Sequence, residues 1–141
     1  MTSEEPTTVE LVERVRASVQ AGSSRDIDWA LSFYTADAVW DMSPWGLSTF
    51  EGIDAIRGFF EDWLGAYEEY AMEAEEIVDC GNGITFAVIL QKGRPAGSSG
   101  EVQLRYAATG VWANGLMTRS TNYRDIDEGR AAAERLAEER G

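Results

Sequence analysis

The chain has 141 residues, of which 44% are hydrophobic and 11% aromatic, and this composition is typical of one folded domain rather than a disordered or disulfide-rich chain. Its 12 Lys and Arg residues stand against 25 Asp and Glu, and the resulting net charge of −13 predicts neither nucleic acid nor a membrane as a partner. Because histidine is absent and Cys80 is the only cysteine, Ser-His-Asp triads, Cys-His pairs, His-ligated metals and internal disulfides are excluded.

Residues 1–7 are polar, and we expect them to form a flexible N-terminus rather than a signal peptide. No apolar run approaches the ~18 residues that a membrane-spanning helix needs. A single thiol also suits a reducing compartment, so the sequence predicts a cytoplasmic protein. Cys80 lies beside Gly81-Asn82-Gly83 and is interpreted as a small residue flanking a turn.

Three helices and one strand are predicted in the first half of the chain. Thr7 and Glu10 have the spacing of a capping box, and apolar residues then recur at helical spacing until Gly22. The elements that follow are a short helix over 26–34, a strand over 38–42, a loop over 43–46 and a helix over 53–67. The last of these has a broad apolar face, which is the firmest helical signal in the chain.

Four strands are predicted in the second half, over 70–79, 84–92, 101–113 and 116–125, with a hairpin signal at Asn114-Gly115. Helices followed by hairpin-linked strands indicate an α+β domain with a curved antiparallel sheet, here given the bounds 8–126. The charged segment 127–141 is predicted to be a helix, either a solvated surface element or one that docks on a partner subunit.

Eight acidic residues and no basic ones lie between Arg57 and Lys92. Such a cluster is compatible with Mg²⁺ or Ca²⁺. The alternation of Glu73 and Glu75 with Met72 and Ala74 instead favours the solvated face of a half-buried strand, and we expect no metal.

Three segments carry a family resemblance: LSFYTADAVWD at 31–41, FEGIDAIRGFF at 50–60 and YRD at 123–125. They resemble the SnoaL-like branch of the nuclear transport factor 2-like superfamily, which includes ketosteroid isomerase and limonene epoxide hydrolase. Over about residues 8–130, the resemblance implies a cone-shaped curved sheet wrapped around about three helices and enclosing an apolar pocket. It also implies a homodimer that pairs through the sheet, and many members of the superfamily are enzymes that act on small hydrophobic molecules.

The residues that catalyse those two reactions are mostly not matched here. The position of the isomerase base falls on Met42, and the positions of its two oxyanion donors fall near Ser18 and Thr109. The last-strand aspartate of the epoxide hydrolase aligns with Asn122, and its Arg-x-Asp pair aligns with the uncharged segment 86–90. The resemblance therefore argues against both mechanisms.

The resemblance nevertheless implies a set of pocket residues. Those expected to bind a ligand are Trp40, Met42, Phe60, Trp63, Arg105, Thr109 and Asn122, with Tyr67, Ser120 and Arg124 as further lining residues. Asp41 is the leading candidate for a catalytic base, and Asp125 is the second. Each has a structural alternative: core packing for the aromatic residues, a surface ion pair for Arg105, hydrogen bonds to the 43–47 loop for Asp41, and a helix cap for Asp125.

Two functions remain open at this point. One is cofactor-free proton transfer on a small hydrophobic, carbonyl-type molecule, as in an isomerase, cyclase or dehydratase, with Asp41 as base and Arg105, Thr109 and Asn122 as donors. The other is a non-catalytic ligand-binding or dimerisation module.

Overall fold

The computed structural model describes residues 7–140, so most of the predicted flexible N-terminus and the final residue lie outside the described part. It contains four α-helices, one 3₁₀ turn (Ser43–Trp45) and six strands. In chain order the regular elements are α1 (Thr8–Ser24), α2 (Ile27–Leu31), β1 (Tyr34–Asp41), β2 (Thr49–Glu51), α3 (Ile53–Gly65), β3 (Tyr67–Gly81), β4 (Ile84–Pro95), β5 (Val102–Ala113), β6 (Leu116–Tyr123) and α4 (Ile126–Arg140).

The six strands form one curved, unclosed sheet in the order β2-β1-β6-β5-β4-β3, which confirms the α+β class. Every neighbouring pair is antiparallel except β1 and β6, which run parallel with Trp40 opposite Ser120. The curved antiparallel sheet is thus as predicted, apart from this one parallel pair, which the sequence did not indicate. Its cause is topological, because β6 ends the run of hairpins and returns to lie beside a strand from the other half of the chain.

Local signals in the sequence place the first elements well. Thr7 caps α1: its side-chain oxygen accepts from the Glu10 N–H at 3.2 Å, and a Glu10 carboxylate oxygen accepts from the Thr7 N–H at 2.8 Å. The helix passes Gly22 and ends at Ser24, and the C-cap residue Arg25 has a left-handed φ of 67°. Strand β2 was not predicted, because three residues are too few to show an alternating pattern.

The sheet has two covered faces. On the inner face, Leu11, Val15 and Val19 of α1 pack against a cluster that contains Ile89 and Tyr106. On the outer face, α4 packs against β4 and β5 through the cluster Ile84, Phe86, Val88, Ala107, Ala133 and Ala137. The C-terminal helix thus docks on the sheet of its own chain. The sequence had suggested a solvated surface element or a helix that docks on a partner subunit, and neither describes this contact.

Close packing of α4 depends on a glycine. A Cβ atom placed on Gly129 would lie 2.6 Å from the Cβ of Ala107, so a larger residue there would push the helix off strand β5.

The acidic segment forms the solvated side of β3. Glu73 and Glu75 are exposed, whereas Met72 and Ala74, which alternate with them, are half-buried. Within residues 7–140, no three or more acidic or cysteine side chains gather closely enough to hold a metal ion. Helices of the described chain are all too short or too polar to cross a membrane.

Candidate functional site

Two adjacent hollows lie between the inner face of the sheet and helices α1 to α3. The first, which we name the front chamber, has a volume of about 80 Å³ and is bordered by residues of β1, the 3₁₀ turn, α3 and β5. The second, the rear chamber, has a volume of about 70 Å³ and lies against α1, β4, β5 and β6. Since a water molecule needs about 10–15 Å³ on this scale, each chamber has room for a small organic group.

Eight of the 17 residues that border the front chamber are aromatic. Trp40 meets Phe60 edge to face, with ring centroids 5.0 Å apart and planes at 89°. Trp45 meets Tyr106 in the same way at 5.7 Å and 82°, and it also contacts Trp63 at 6.4 Å. Edge-to-face packing of this kind fixes the rings relative to one another, so the wall is largely preformed.

Three hydrogen-bond donors of this wall have no partner. Among residues 7–140, four buried side-chain polar atoms lack a hydrogen bond, and three of them are Trp40 Nε1, Trp45 Nε1 and Asn122 Nδ2. All three residues border the front chamber, and Asn122 is only 2% exposed. A buried donor without a partner costs about 1–3 kcal/mol, so three of them at one hollow point to an acceptor supplied from outside the chain. We call them the unpartnered donors.

A buried amide beside the front chamber is bonded within the protein. Gln91 is buried, and its Oε1 accepts from Trp63 Nε1 at 3.3 Å and from the Tyr70 hydroxyl at 2.9 Å. Its Nε2 donates to the Tyr67 hydroxyl at 3.4 Å. Gln91 therefore holds the rings of Trp63 and Tyr70 in place, and the N–H of Trp63 differs from those of Trp40 and Trp45 in being bonded.

The phenols at the chambers are neutral. Burial raises the pKa of Tyr34, of Tyr70 and of Tyr106, and the neighbouring Tyr34 raises the pKa of Tyr106 further. Their hydroxyls therefore stay protonated at neutral pH, and the interior carries no phenolate charge.

Five of the expected ligand-binding residues border the front chamber: Trp40, Met42, Phe60, Trp63 and Asn122. Tyr67 is not among its lining residues and packs on Trp63 and Tyr70, with centroids at 6.3 and 5.3 Å. The exposed guanidinium of Arg124 lies 5.6 Å from the centre of the Trp45 ring.

Arg105 and Thr109 are not placed as expected. Arg105 is exposed and forms a two-pronged ion pair with Glu75, in which Nη2 donates to Oε2 at 2.9 Å. Thr109 borders the rear chamber, but its register partner is Phe86 of the outer face and its hydroxyl donates to the Thr121 carbonyl at 3.3 Å. Strand β5 is offset by one residue from the expected register, and such a shift moves every side chain to the other face. Tyr106 and Ala108 face inward instead.

Asp41 lies on the outer face of β1. Its Oδ1 accepts from the Ser43 N–H at 2.8 Å and from the Thr49 hydroxyl at 3.1 Å, and its Oδ2 accepts from Arg119 at 2.7 Å. Burial raises the pKa of this carboxyl, but the hydrogen bonds from Ser43, Arg119 and Thr49 outweigh burial and hold the pKa below its ordinary value. An ionised, fully bonded carboxylate outside the chambers is poorly placed to act as a base on a ligand inside them.

The other carboxylates have structural contacts of their own. Asp125 caps α4, since its Oδ1 accepts from the Glu128 N–H at 3.0 Å. Asp26 is the one carboxylate among the described residues that borders the front chamber, and its Oδ1 caps α2 by accepting from the Trp29 N–H at 3.1 Å.

Sequence reasoning missed several lining residues, chiefly Trp45, Tyr34, Tyr70 and Tyr106. A tryptophan within the polar loop Ser43-Pro44-Trp45-Gly46 is the signal that marks Trp45, since a solvated turn gains nothing from an indole. Tyr106 could have been found from alternation along β5, where Leu104, Tyr106 and Ala108 form an apolar face opposite Arg105 and Thr109.

Comparisons with known proteins agree with this fold. The SnoaL-like domain model matches residues 15–120. No curated protein matches the chain. A protein with a ketosteroid isomerase-like fold from Catenulispora acidiphila, solved with trimethylamine, superposes with a TM-score of 0.72 at 14% identity over 86% of this chain and 92% of that one.

Two further structures are similar to the same extent. An LEH-like epoxide hydrolase from M. tuberculosis has a TM-score of 0.71 at 17% identity, over 92% of this chain and 93% of that one. A candidate polyketide cyclase from Xanthomonas campestris pv. campestris has a TM-score of 0.68 at 21% identity, over 90% and 98%. At these identities the likeness shows the shared fold alone.

Proposed function

This chain belongs to the SnoaL-like domain family, and we propose that its interior binds a small, mostly apolar molecule through an acceptor oxygen of the ketone type. The observation that carries the proposal is that all three residues with an unpartnered donor, Trp40, Trp45 and Asn122, border one aromatic-walled chamber. An apolar ligand alone would leave these donors unpaired, whereas a carbonyl oxygen accepts two hydrogen bonds.

Charge favours a neutral ligand. A cation would be attracted by the exposed Asp26 carboxylate, but it would face N–H groups rather than acceptors at the three donor positions. An anion would lose its hydration without meeting a positive charge, because Asp26 is the one charged residue on the lining of the front chamber within the described chain. A neutral oxygen acceptor avoids both costs.

Ligand binding without catalysis is the function that the geometry supports best. Proton transfer on the bound carbonyl is a second candidate, because Asp26 borders the same chamber as the donors, which would polarise the carbonyl as an oxyanion hole does. Exchange of the α-protons of a bound ketone in D₂O, followed by NMR, separates the two functions. Binding alone predicts exchange at the buffer rate; faster exchange that disappears in Asp26→Asn, which keeps a capping oxygen, would establish the second.

A matched ligand pair tests the binding proposal. Acetophenone and ethylbenzene have similar shapes, but only acetophenone carries an acceptor oxygen, and calorimetry measures the ratio of their affinities. We expect Trp40→Phe and Trp45→Phe each to reduce the preference for acetophenone about three- to tenfold, the value of one hydrogen bond.

Trp63→Phe is the control, because it removes an indole N–H from the same wall that is already bonded to Gln91. It should weaken both compounds and leave their ratio unchanged. A ratio that is the same in wild type, Trp40→Phe, Trp45→Phe and Asn122→Leu would refute the proposal.

A further inference from the structure

We infer that the two chambers form one bipartite site for an aryl alkyl ketone, with the ring in the front chamber, the carbonyl between the chambers and the alkyl arm in the rear chamber. The inference rests on the proposed function and adds the class of ligand and its orientation. It comes from the position of the donors and from the different walls of the two chambers.

The chambers are neighbours that share part of their walls. Six residues border both: Ser18, Tyr34, Trp40, Met72, Tyr106 and Asn122. The chambers are therefore separated by no more than side chains that they have in common. A ligand of modest length that enters one chamber can extend into the other when these side chains adjust.

The unpartnered donors lie mainly at this boundary. Trp40 and Asn122 border both chambers, whereas Trp45 borders only the front one. Since an acceptor oxygen must meet these N–H groups, it lies where the chambers join. The oxygen is therefore placed in the middle of the ligand, with substituents on both sides, which is the arrangement of a ketone rather than of an alcohol or acid at a chain end.

The two walls differ in chemistry and depth. The front chamber has the aromatic wall and is also bordered by exposed Asp26 and half-buried Trp63, so it is the side nearer to solvent. Residues that border only the rear chamber are all buried except Ala108. They include the apolar Val15, Ile89 and Met117 and the hydroxyl residues Thr85, Thr109 and Ser120, of which Thr85 and Thr109 have hydrogen-bond partners within the chain. A flat ring suits the first wall and a short alkyl arm suits the second.

A chain-length series tests this orientation on the unmodified protein. Acetophenone, propiophenone and butyrophenone keep the ring and carbonyl and lengthen only the arm. If the arm enters the rear chamber, each methylene should improve the dissociation constant about fourfold, or about fifteenfold over the series. The matched series ethylbenzene to butylbenzene, without oxygen, measures how far chain length acts when no carbonyl fixes the ligand.

Two alanine-to-leucine variants locate the arm. Ala108 borders the rear chamber only, and Ala30 borders the front chamber only. Ala108→Leu should remove the gain from acetophenone to butyrophenone, whereas Ala30→Leu should weaken both ketones alike. Circular dichroism confirms that each variant is folded, and Ala108→Val replaces the leucine variant if it is not.

The outcomes separate this inference from the proposed function. Equal binding of all three ketones by the wild type, or equal loss of acetophenone and butyrophenone in Ala108→Leu, would refute the two-chamber site while leaving the carbonyl-binding proposal intact. If acetophenone has no advantage over ethylbenzene that depends on Trp40 and Asn122, both proposals are wrong.

Discussion

Asn122 gives a prediction with an unusual sign, because replacing it by an apolar residue should stabilise the protein that holds no ligand. The side chain is 2% exposed, and its Nδ2 has no hydrogen-bond partner within the described residues. Leucine has the same branched shape, although its two methyl groups are bulkier than the amide, and it removes the unpaired donor. Removing the unpaired N–H should stabilise the protein by about 1–3 kcal/mol, and the imperfect fit of leucine should offset part of this stabilisation.

We therefore expect Asn122→Leu to raise the free energy of unfolding by about 1 kcal/mol, which corresponds to a rise of about 3–5 °C in the melting temperature of a chain of this size. Urea denaturation followed by tryptophan fluorescence measures the change. The same variant should bind acetophenone more weakly, so stability and ligand affinity move in opposite directions.

Gln91 supplies the matched control. It is also a buried amide, 3% exposed, but its oxygen accepts from Trp63 and Tyr70 and its nitrogen donates to Tyr67. Gln91→Met, which keeps the length of the side chain, should lower the free energy of unfolding by about 2 kcal/mol because it leaves buried partners unpaired. If Asn122→Leu is destabilising to a similar degree, the Asn122 amide is bonded in solution and the case for an external acceptor is lost.

Three further predictions concern the scaffold. Asp41→Asn should lower the free energy of unfolding by about 1–2 kcal/mol at pH 7. Because folding lowers the pKa of Asp41, the difference between the variant and the wild type should shrink as the pH falls below 3.8. A difference that stays constant with pH would show that the Asp41 carboxylate is not stabilised by its hydrogen bonds. Gly129→Ala should destabilise by about 1–3 kcal/mol, whereas Gly58→Ala, with no neighbour within 4 Å, should stabilise slightly in thermal melts. The homodimer stays a prediction, and light scattering that shows a monomer at micromolar concentration would remove it.

The fold was largely predictable because its signals are local. The capping box at Thr7, the apolar face of α3 and the Asn114-Gly115 turn each specify an element through residues a few positions apart. The parallel pairing of β1 with β6 was not predictable, because it joins strands about 80 residues apart and no pattern within either strand records its neighbour.

The site was predictable only in part, and strand register explains the difference. Trp40 and Asn122 were placed by the resemblance and border the front chamber. Arg105 and Thr109 were assigned to the inner face because the family resemblance set the phase of β5. Alternation along the strand indicates the opposite phase, since the apolar residues Leu104, Tyr106 and Ala108 alternate with them and face inward. The missing hydrogen bonds of Trp40 and Asn122 are a property of three-dimensional packing, and no sequence pattern shows them.

The alternation of side chains along β1 has an evolutionary consequence. Trp40 points into the chamber and the next residue, Asp41, points away from it. Loss or gain of one amino acid within β1 would exchange them, withdrawing an indole N–H and introducing an acid beside Asn122. A single codon insertion or deletion would then add a buried carboxylate to a chamber where the one charged lining residue of the described chain, Asp26, is exposed.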